Sequence, residues 1–350
     1  MSGKTQKALV VEALGKPITL VSNWPIPDPG PGQVQVRVSV GSINPHDQKA
    51  RDYGLFVKDG LPGVLGNDVV GEVTVLGEGV TKYAAGERIF TQACFKSAGW
   101  SQNALQEYAI VEVDHSAKVP ETCSDDEAAT LPCNLLAPLF AIHDGLGIPA
   151  PWTPEADNFN YNDTSILILG GGSNTGRFGV QLAALAGIGR IVVVGGDPLE
   201  LKGYGATDVI DRHGSPDQVT ARIRDIVGDG LVLAFDAVNP PPTQHIGINA
   251  LSTSKKGKLA RLLPSGPPDL SQVKLNETEY ELKDIYGVSL LNPDLSKPFW
   301  ARLPGYLKEK RIHPTAYQVV RGLDADKLNQ LLDGYKAKQR VAKANFHPGL

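Results

Sequence analysis

The feature that most constrains the fold is a short apolar run that ends in three glycines and is followed by a helical pattern. Residues 166–169 form the run, Gly170, Gly171 and Gly172 the turn, and 178–186 carry apolar residues at helical spacing. A second apolar strand comes at 191–194, and 231–235 and 258–263 read as two more. Strand, glycine turn, helix and strand make the crossover unit of a parallel sheet, because parallel neighbours need a connection that carries the chain back.

Such a turn can receive a dinucleotide pyrophosphate, which needs backbone N–H groups at a helix N-terminus and no side chain in the way. Gly171, Gly172, Ser173, Asn174, Thr175 and Gly176 are the candidate contacts, and the helix dipole favours the negative charge. The spacing Gly171-x-Ser173-x-x-Gly176 places a serine at the middle glycine of the dinucleotide fingerprint. The second strand, one half-unit later, is the context that strengthens the reading. The alternative is a glycine-rich turn that binds nothing. At the end of the second strand an acidic residue would hold the adenosine ribose and repel a 2′-phosphate. Gly195 stands there, followed by Gly196, so NADP is expected over NAD. Asp197 would oppose this if turned inward. Lys202 is the nearest cation for the phosphate, or else a solvated helix lysine.

At 350 residues the chain is expected to form two domains. Its 34 Lys+Arg against 38 Asp+Glu leave a net charge of -4, a poor basis for binding nucleic acid or an anionic membrane. Cys94, Cys123 and Cys133 are an odd set with no C-x-x-C, against a disulfide framework and a four-cysteine zinc site. No apolar run reaches the ~18 residues of a spanning helix, and the polar start lacks a signal-peptide pattern. A soluble, cytoplasmic protein is expected. Residues 34–40 alternate apolar and polar, and Gly66, Gly71, Gly77, Gly79 and Gly86 punctuate the strand-like segments beyond them, which predicts a compact, barrel-like β region. Residues 148–163 read as a surface loop at the boundary between the two regions, and 326–336 as a helix.

Several stretches together resemble the medium-chain dehydrogenase/reductase superfamily. They are Gly66-Asn67-Asp68-Val69-Val70-Gly71-Glu72-Val73, Leu76-Gly77-Glu78-Gly79-Val80, Ala85-Gly86-Glu87-Arg88-Ile89, Asp126-Glu127-Ala128-Ala129-Thr130-Leu131-Pro132 and Gly205-Ala206-Thr207-Asp208-Val209-Ile210-Asp211. More narrowly, Asn44-Pro45-His46-Asp47-Gln48-Lys49 with Arg51-Asp52-Tyr53-Gly54 is similar to the fungal branch of trans-acting enoyl reductases and toxin-cluster relatives, and to quinone-oxidoreductase-like proteins. The resemblance implies an α/β fold. A GroES-like, β-barrel-type catalytic domain would span 1–130 and 295–350, and a Rossmann doubly wound parallel sheet 131–294, with a cleft between them for nicotinamide and substrate. It places Leu290 and Asn292 in the last strand of the dinucleotide domain, where backbone meets the carboxamide. Ala137 stands where many quinone-reductase relatives carry a threonine.

The zinc-dependent branch holds its metal with cysteine, histidine and a carboxylate, and a catalytic zinc needs about three protein ligands. Asn44 stands where the cysteine is expected and Asn67 where the histidine is expected, followed by Asp68 rather than glutamate. His46 beside Asp47 reads as a loop histidine paired with solvent or a neighbour. The site is therefore expected to lack zinc. Metal-free hydride transfer suits a conjugated acceptor, whose carbonyl oxygen collects the charge as an enolate that hydrogen-bond donors can stabilise. Lys49 is the candidate donor, because the enoyl-reductase relatives carry a lysine there. Its alternative is a surface lysine or an ion pair with Asp47 or Asp52. Asn44 is expected near the nicotinamide ribose. Asp47 is expected to cap backbone N–H groups, and Asp68 to tie the turn around Gly66 and Gly71. Tyr53, Phe56, Phe95 and Trp100 are either pocket walls for a long acyl substrate or ordinary core, and Ala137 joins the pocket set.

The expectation is an NADPH-dependent, zinc-free reductase of an activated C=C in a polyketide-like or other secondary metabolite. A quinone oxidoreductase is the near alternative. A dinucleotide-binding protein without turnover, or a non-redox biosynthetic role, is the alternative of another class. The partner is a small molecule, whether a free acyl group, a coenzyme A thioester or a carrier-protein thioester, and the chain is a monomer or homodimer.

Overall fold

The computed structural model describes residues 3–93, 99–262, 266–276 and 279–350. Cys94, Phe95 and Leu263 lie outside them. The chain begins with eight strands: β1 (Thr5–Val11), β2 (Thr19–Pro25), β3 (Gln33–Ser42), β4 (Gly63–Val64), β5 (Asp68–Leu76), β6 (Arg88–Gln92), β7 (Tyr108–Glu112) and β8 (Ser116–Lys118). Helix α1 (Pro45–Tyr53) leaves β3, and α2 (Asp125–Ala129) and α3 (Pro132–Leu139) come after β8. The crossover region is next. It runs β9 (Ser165–Leu169), α4 (Asn174–Ala186), β10 (Arg190–Val194), α5 (Pro198–Gly203), β11 (Asp208–Ile210), α6 (Pro216–Val227), β12 (Leu233–Asp236), α7 (His245–Ala250), β13 (Gly257–Arg261) and β14 (Tyr280–Asp284). The chain closes with α8 (Pro293–Lys308), β15 (Tyr317–Arg321), α9 (Ala325–Lys336) and β16 (Lys343–His347). Among the described residues no helix is long and apolar enough to cross a membrane.

Two units result. One joins the residues up to Cys133 with Val288–Leu350, and the other is Asn134–Gly287. The expected boundary after residue 294 falls earlier, because the segment from Val288 is bonded into the first unit. Ser289 N–H donates to Gln92 Oε1 at 2.9 Å, and the Ser289 hydroxyl meets Trp300 Nε1 at 2.9 Å and His115 Nδ1 at 2.7 Å. The 148–163 loop lies inside the second unit, not at a boundary.

In the first unit, β3 sits inside a sheet ordered β15-β16-β3-β5-β6-β8, with β7 also on β3, and β2-β1-β4 form a second sheet. The alternation at 34–40 predicts a half-buried strand, and β3 follows it: Val34, Val36, Val38 and Val40 are buried while Arg37 is exposed, and Gln35 is the exception, buried with its amide donating to the Pro27 carbonyl at 2.8 Å. The core of this unit includes Leu9, Ile43, Leu65, Leu105 and Phe346. Truncating a fully buried phenylalanine such as Phe346 costs about 3–5 kcal/mol, so the last strand contributes heavily to this unit.

The second unit is a six-stranded parallel sheet ordered β11-β10-β9-β12-β13-β14. This is the doubly wound order, in which the order of strand addition reverses beside β9 while all strands stay parallel. Ile166, Leu167, Ile168, Ile191, Val192 and Val193 are buried, as strands covered on both faces require.

Candidate active site

The site is assembled by strand register. Across β16 and β3, Asn345 lies opposite Ser42, and across β3 and β5, Ser42 lies opposite Asp68. The ends of three neighbouring strands therefore bring Lys343, Asn44 and Asp68 together. Asn44 caps α1, with Pro45 at the first helical position, where a missing N–H costs nothing. The Asp47 carboxylate accepts from Asn44 N–H at 2.7 Å and from Gly66 N–H at 3.0 Å. Gly54 ends the helix with φ 77°, and a Cβ there would lie 2.6 Å from Lys58 Cβ, so glycine is required.

Asn44 Nδ2 donates to Asp68 Oδ2 at 2.7 Å, and Lys343 Nζ donates to Asn44 Oδ1 at 2.9 Å and also to Asp68 Oδ2. Asp68 Oδ1 accepts from Cys133 N–H at 2.7 Å. The side chains of Lys343 and Asp68 are 2% and 0% exposed, so this is a buried ion pair with an amide set into it. Burial, and then the Asp68 charge, push the Cys133 thiol well above its ordinary range, so it stays protonated. Asp47 holds the Gly66 turn as a cap, whereas Asp68, expected to tie that turn, instead joins Asn44, Lys343 and Cys133. Sequence reasoning missed Lys343. Its only signal was a lysine opening the short alternating segment Lys343-Ala344-Asn345-Phe346-His347.

His46 lies in the first turn of α1 rather than in a loop, and its Nε2 donates to Asn67 Oδ1 at 2.9 Å, so it has the expected neighbour. Lys49 is exposed on α1 and has no ion-pair partner among the described residues. Both carboxylates considered for it are engaged elsewhere. Asp47 serves backbone N–H groups, while Asp52 accepts from Arg51 Nε at 2.7 Å and Gln48 Nε2 at 2.8 Å and faces Lys336 Nζ at 3.2 Å. Arg51 also bonds Asp333 at 2.7 Å, which clamps α1 to α9.

The proposed pocket residues separate. Trp100 is half-buried, packing edge-on against Trp24 with centroids 5.3 Å apart and against the hydrophobic core. Tyr53 is 68% exposed, and Phe56 is half-buried with its ring near His46. Ala137 on α3 lies under Gly287, where a Cβ would come within 2.5 Å of Ala137 Cα. Leu290 and Asn292 are not on a strand. Leu290 lies in a 3₁₀ turn, Ser289–Leu291, and Asn292 caps α8 by accepting from Leu295 N–H at 3.2 Å. The last strand of the second unit's parallel sheet is β14, which ends before them.

The glycine turn joins β9 to α4. Ser173 caps α4, accepting from Gly176 N–H at 2.9 Å and donating to the Gly170 carbonyl at 2.8 Å. A serine therefore serves at the fingerprint's middle position because its hydroxyl closes the turn. A Cβ on Gly176 would lie 2.1 Å from the Gly170 oxygen, and one on Gly171 would lie 2.4 Å from Val193 Cγ1. These two glycines are demanded by the turn's own packing, whereas Gly172 is exposed. Helix geometry leaves the N–H groups of Asn174 and Thr175 without an intrahelical acceptor, while the Thr175 hydroxyl faces Asn134 Oδ1 at 3.4 Å. At the end of β10, Gly195 and Gly196 both have positive φ, 79° and 96°. Asp197 caps α5, accepting from Glu200 N–H at 2.9 Å, which commits its carboxylate to the helix. Lys202 is exposed on α5. Arg212 lies over Gly195 instead: a Cβ at 195 would be 3.2 Å from Arg212 Cδ, and the guanidinium has no partner among the described residues.

Residues 30–121 match the family model of the alcohol dehydrogenase GroES-like domain. The chain is 30% identical over 269 residues to a zinc-type alcohol dehydrogenase-like protein of Schizosaccharomyces pombe, covering 74% of this chain and 73% of that protein. It is 29% identical over 337 residues to the trans-enoyl reductase ACTTS2 of Alternaria alternata, covering 92% and 93%. Among solved structures it superposes on an alcohol dehydrogenase superfamily protein of Novosphingobium aromaticivorans with TM-score 0.79 at 21% identity, over 98% of this chain and 99% of that one. It also superposes on a mycobacterial protein complexed with NADPH, with TM-score 0.74 at 20% identity, over 98% and 100%. The fold is that of an oxidoreductase with a GroES-like domain and a dinucleotide-type parallel sheet. The chain belongs to the medium-chain dehydrogenase/reductase superfamily.

A relative of zinc type raises the question of whether the residues here fit a metal. They do not. Asn44 and Asn67 are neutral amides whose oxygens already accept from Lys343 and His46, and Asp68 already faces an ammonium. Among the described residues no group of three or more His, Cys, Asp and Glu side chains is placed to hold a metal ion.

Proposed function

We propose that the protein is an NADPH-dependent reductase that delivers hydride to an activated C=C, without a metal, in an enoyl substrate of the polyketide type. The single observation that carries this reading is the engagement of the Asn44 and Asn67 amides, which leaves no ligand set among the described residues to polarise an alcohol. An enoyl acceptor needs no such ligand set. Relatives named trans-enoyl reductases, ACTTS2 among them, favour the enoyl acceptor over a quinone.

The N–H groups at the start of α4 would hold the pyrophosphate, with exposed Gly172 allowing its approach. The paired glycines after β10 leave room for a 2′-phosphate, and the Asp197 carboxylate is turned to its helix cap rather than to a ribose. Arg212 supplies a planar cation suited to that phosphate. A reduced nicotinamide nucleotide, when bound, supplies the hydride. Lys49 would donate a hydrogen bond to the carbonyl oxygen as charge collects on it, and water would protonate the α carbon.

NADPH oxidation followed by nicotinamide absorbance tests this. Turnover with a 2-enoyl thioester is expected, and comparing coenzyme A with a carrier-protein thioester identifies the acyl form. Turnover with 1,2-quinones alone, or NADPH binding with no turnover of either acceptor, would overturn the reading.

A further inference from the structure

We infer that Lys343 is the built-in cation of this site: its ammonium occupies, against Asp68 Oδ2 and Asn44 Oδ1, the place a divalent metal would need, and it fixes the Asn44 amide in one orientation. The inference rests on the metal-free function just proposed and adds the residue responsible for it.

Charge comes first. Asp68 is fully buried, and a buried carboxylate needs a countercharge and satisfied lone pairs. Lys343 provides the charge, and Asn44 Nδ2 and Cys133 N–H the remaining donors. With amides at 44 and 67, the Lys343 charge balances Asp68, while the neighbouring Asp47 carboxylate is held by the Asn44 and Gly66 N–H groups. A divalent ion would sit beside a tethered ammonium with a single carboxylate between them, a repulsive arrangement in a medium of low dielectric. The tether leaves little freedom, because the β16–β3 register fixes the Lys343 backbone opposite the start of α1.

Orientation comes second. Asn44 presents its oxygen to the ammonium and its NH₂ to the carboxylate. The flipped amide would place NH₂ against NH₃⁺ and oxygen against carboxylate, replacing two attractive contacts with two repulsive ones. Lys343 is thus a positioning residue: it acts on the candidate site through Asn44.

The test uses the full chain. After exposure to zinc and dialysis, elemental analysis of the wild type should show no stoichiometric metal. Lys343→Met and Asp68→Asn should each lower Tm by roughly 5–15 °C. The double variant should recover much of that loss, and it keeps the test alive if a single variant fails to fold. Methylammonium chloride should raise the Tm of Lys343→Ala more than an equal concentration of tetramethylammonium chloride, with no such difference in Lys343→Ala/Asp68→Asn. Lys343→Arg should retain more turnover than Lys343→Met at similar NADPH affinity. A stoichiometric zinc in the wild type would overturn the metal-free reading itself. A metal-free wild type with additive Tm losses and no ammonium-specific recovery would overturn the role of Lys343 alone.

Discussion

Lys343 is enclosed and bonded twice, whereas Lys49 is exposed and unpaired among the described residues, so the two lysines near Asn44 differ in what they are free to do. Lys49→Ala is expected to lower kcat by about 10²-fold or more while changing the NADPH Kd by less than about threefold. Unchanged turnover in steady-state kinetics would remove Lys49 from the mechanism. Arg212→Ala should weaken NADPH binding by about tenfold, the loss of one charge-assisted phosphate contact, and leave NADH binding nearly unchanged. Titration of both nucleotides by fluorescence checks this, and an equal loss for both would assign Arg212 no phosphate contact. Neither Arg212 nor Lys343 was legible from spacing. Arg212 reaches Gly195 only because β11 lies beside β10, and Lys343 meets Asp68 across a separation of 275 residues.

At the scale of elements, the helix that carries Asn44 and Lys49 is braced by α9 through Arg51, Asp52, Asp333 and Lys336. Burial alone would raise the Asp52 carboxyl, but hydrogen bonds from Arg51, Gln48 and Lys336 hold it down at about 2. A depressed carboxylate contributes stability that is present above the unfolded value near 4 and lost as pH falls toward 2. Asp52→Asn should therefore flatten the dependence of Tm on pH between about 2 and 4; an unchanged slope would show that the brace carries no charge linkage. Ser173→Ala removes the α4 cap, worth about 1 kcal/mol, and should lower Tm by a few degrees while weakening nucleotide binding. The β9 turn, α4, β10, β12 and β13 are readable from the sequence because apolar runs and glycine punctuation are local signals. β14 is not, since Tyr280–Asp284 is an edge strand with charged residues at Glu281, Lys283 and Asp284, and β11 is only three residues long. The family resemblance implies a strand at Leu290 and Asn292. Its bonds to Gln92, His115 and Trp300 place it elsewhere, and the first two of these partners are far off in sequence.

At the scale of the whole molecule, two buried groups of the second unit give its stability an opposing pH dependence. Burial pushes His143 down to about 4, with its Nδ1–H donating to the Ile148 carbonyl at 2.9 Å. Its unfolded value is near 6.5, so the unfolded chain binds the extra proton and stability is lost as pH falls from about 6.5 to about 4. Burial pushes Asp236 up to about 6, although Asn239 and Val238 N–H groups favour its charged form. Here the folded chain holds the proton, so stability falls as pH rises from about 4 to about 6 and is level above that. Between about 4 and 6 the two slopes offset each other. His143→Asn should expose a falling Tm across that window and Asp236→Asn a rising one. Calorimetry at a series of pH values would reveal parallel profiles if neither group titrates in that range.

The strand that carries Lys343 also sets an order of events during synthesis. Asp68 leaves the ribosome 275 residues ahead of the ammonium that neutralises it, an interval of roughly 14–55 s at ordinary elongation rates. The parallel sheet is contiguous in the chain and can close within that interval. The cluster of Asn44, Asp68 and Lys343 is closed only when β16 emerges, so a polypeptide stalled before residue 343 would carry the parallel sheet and an incomplete first unit.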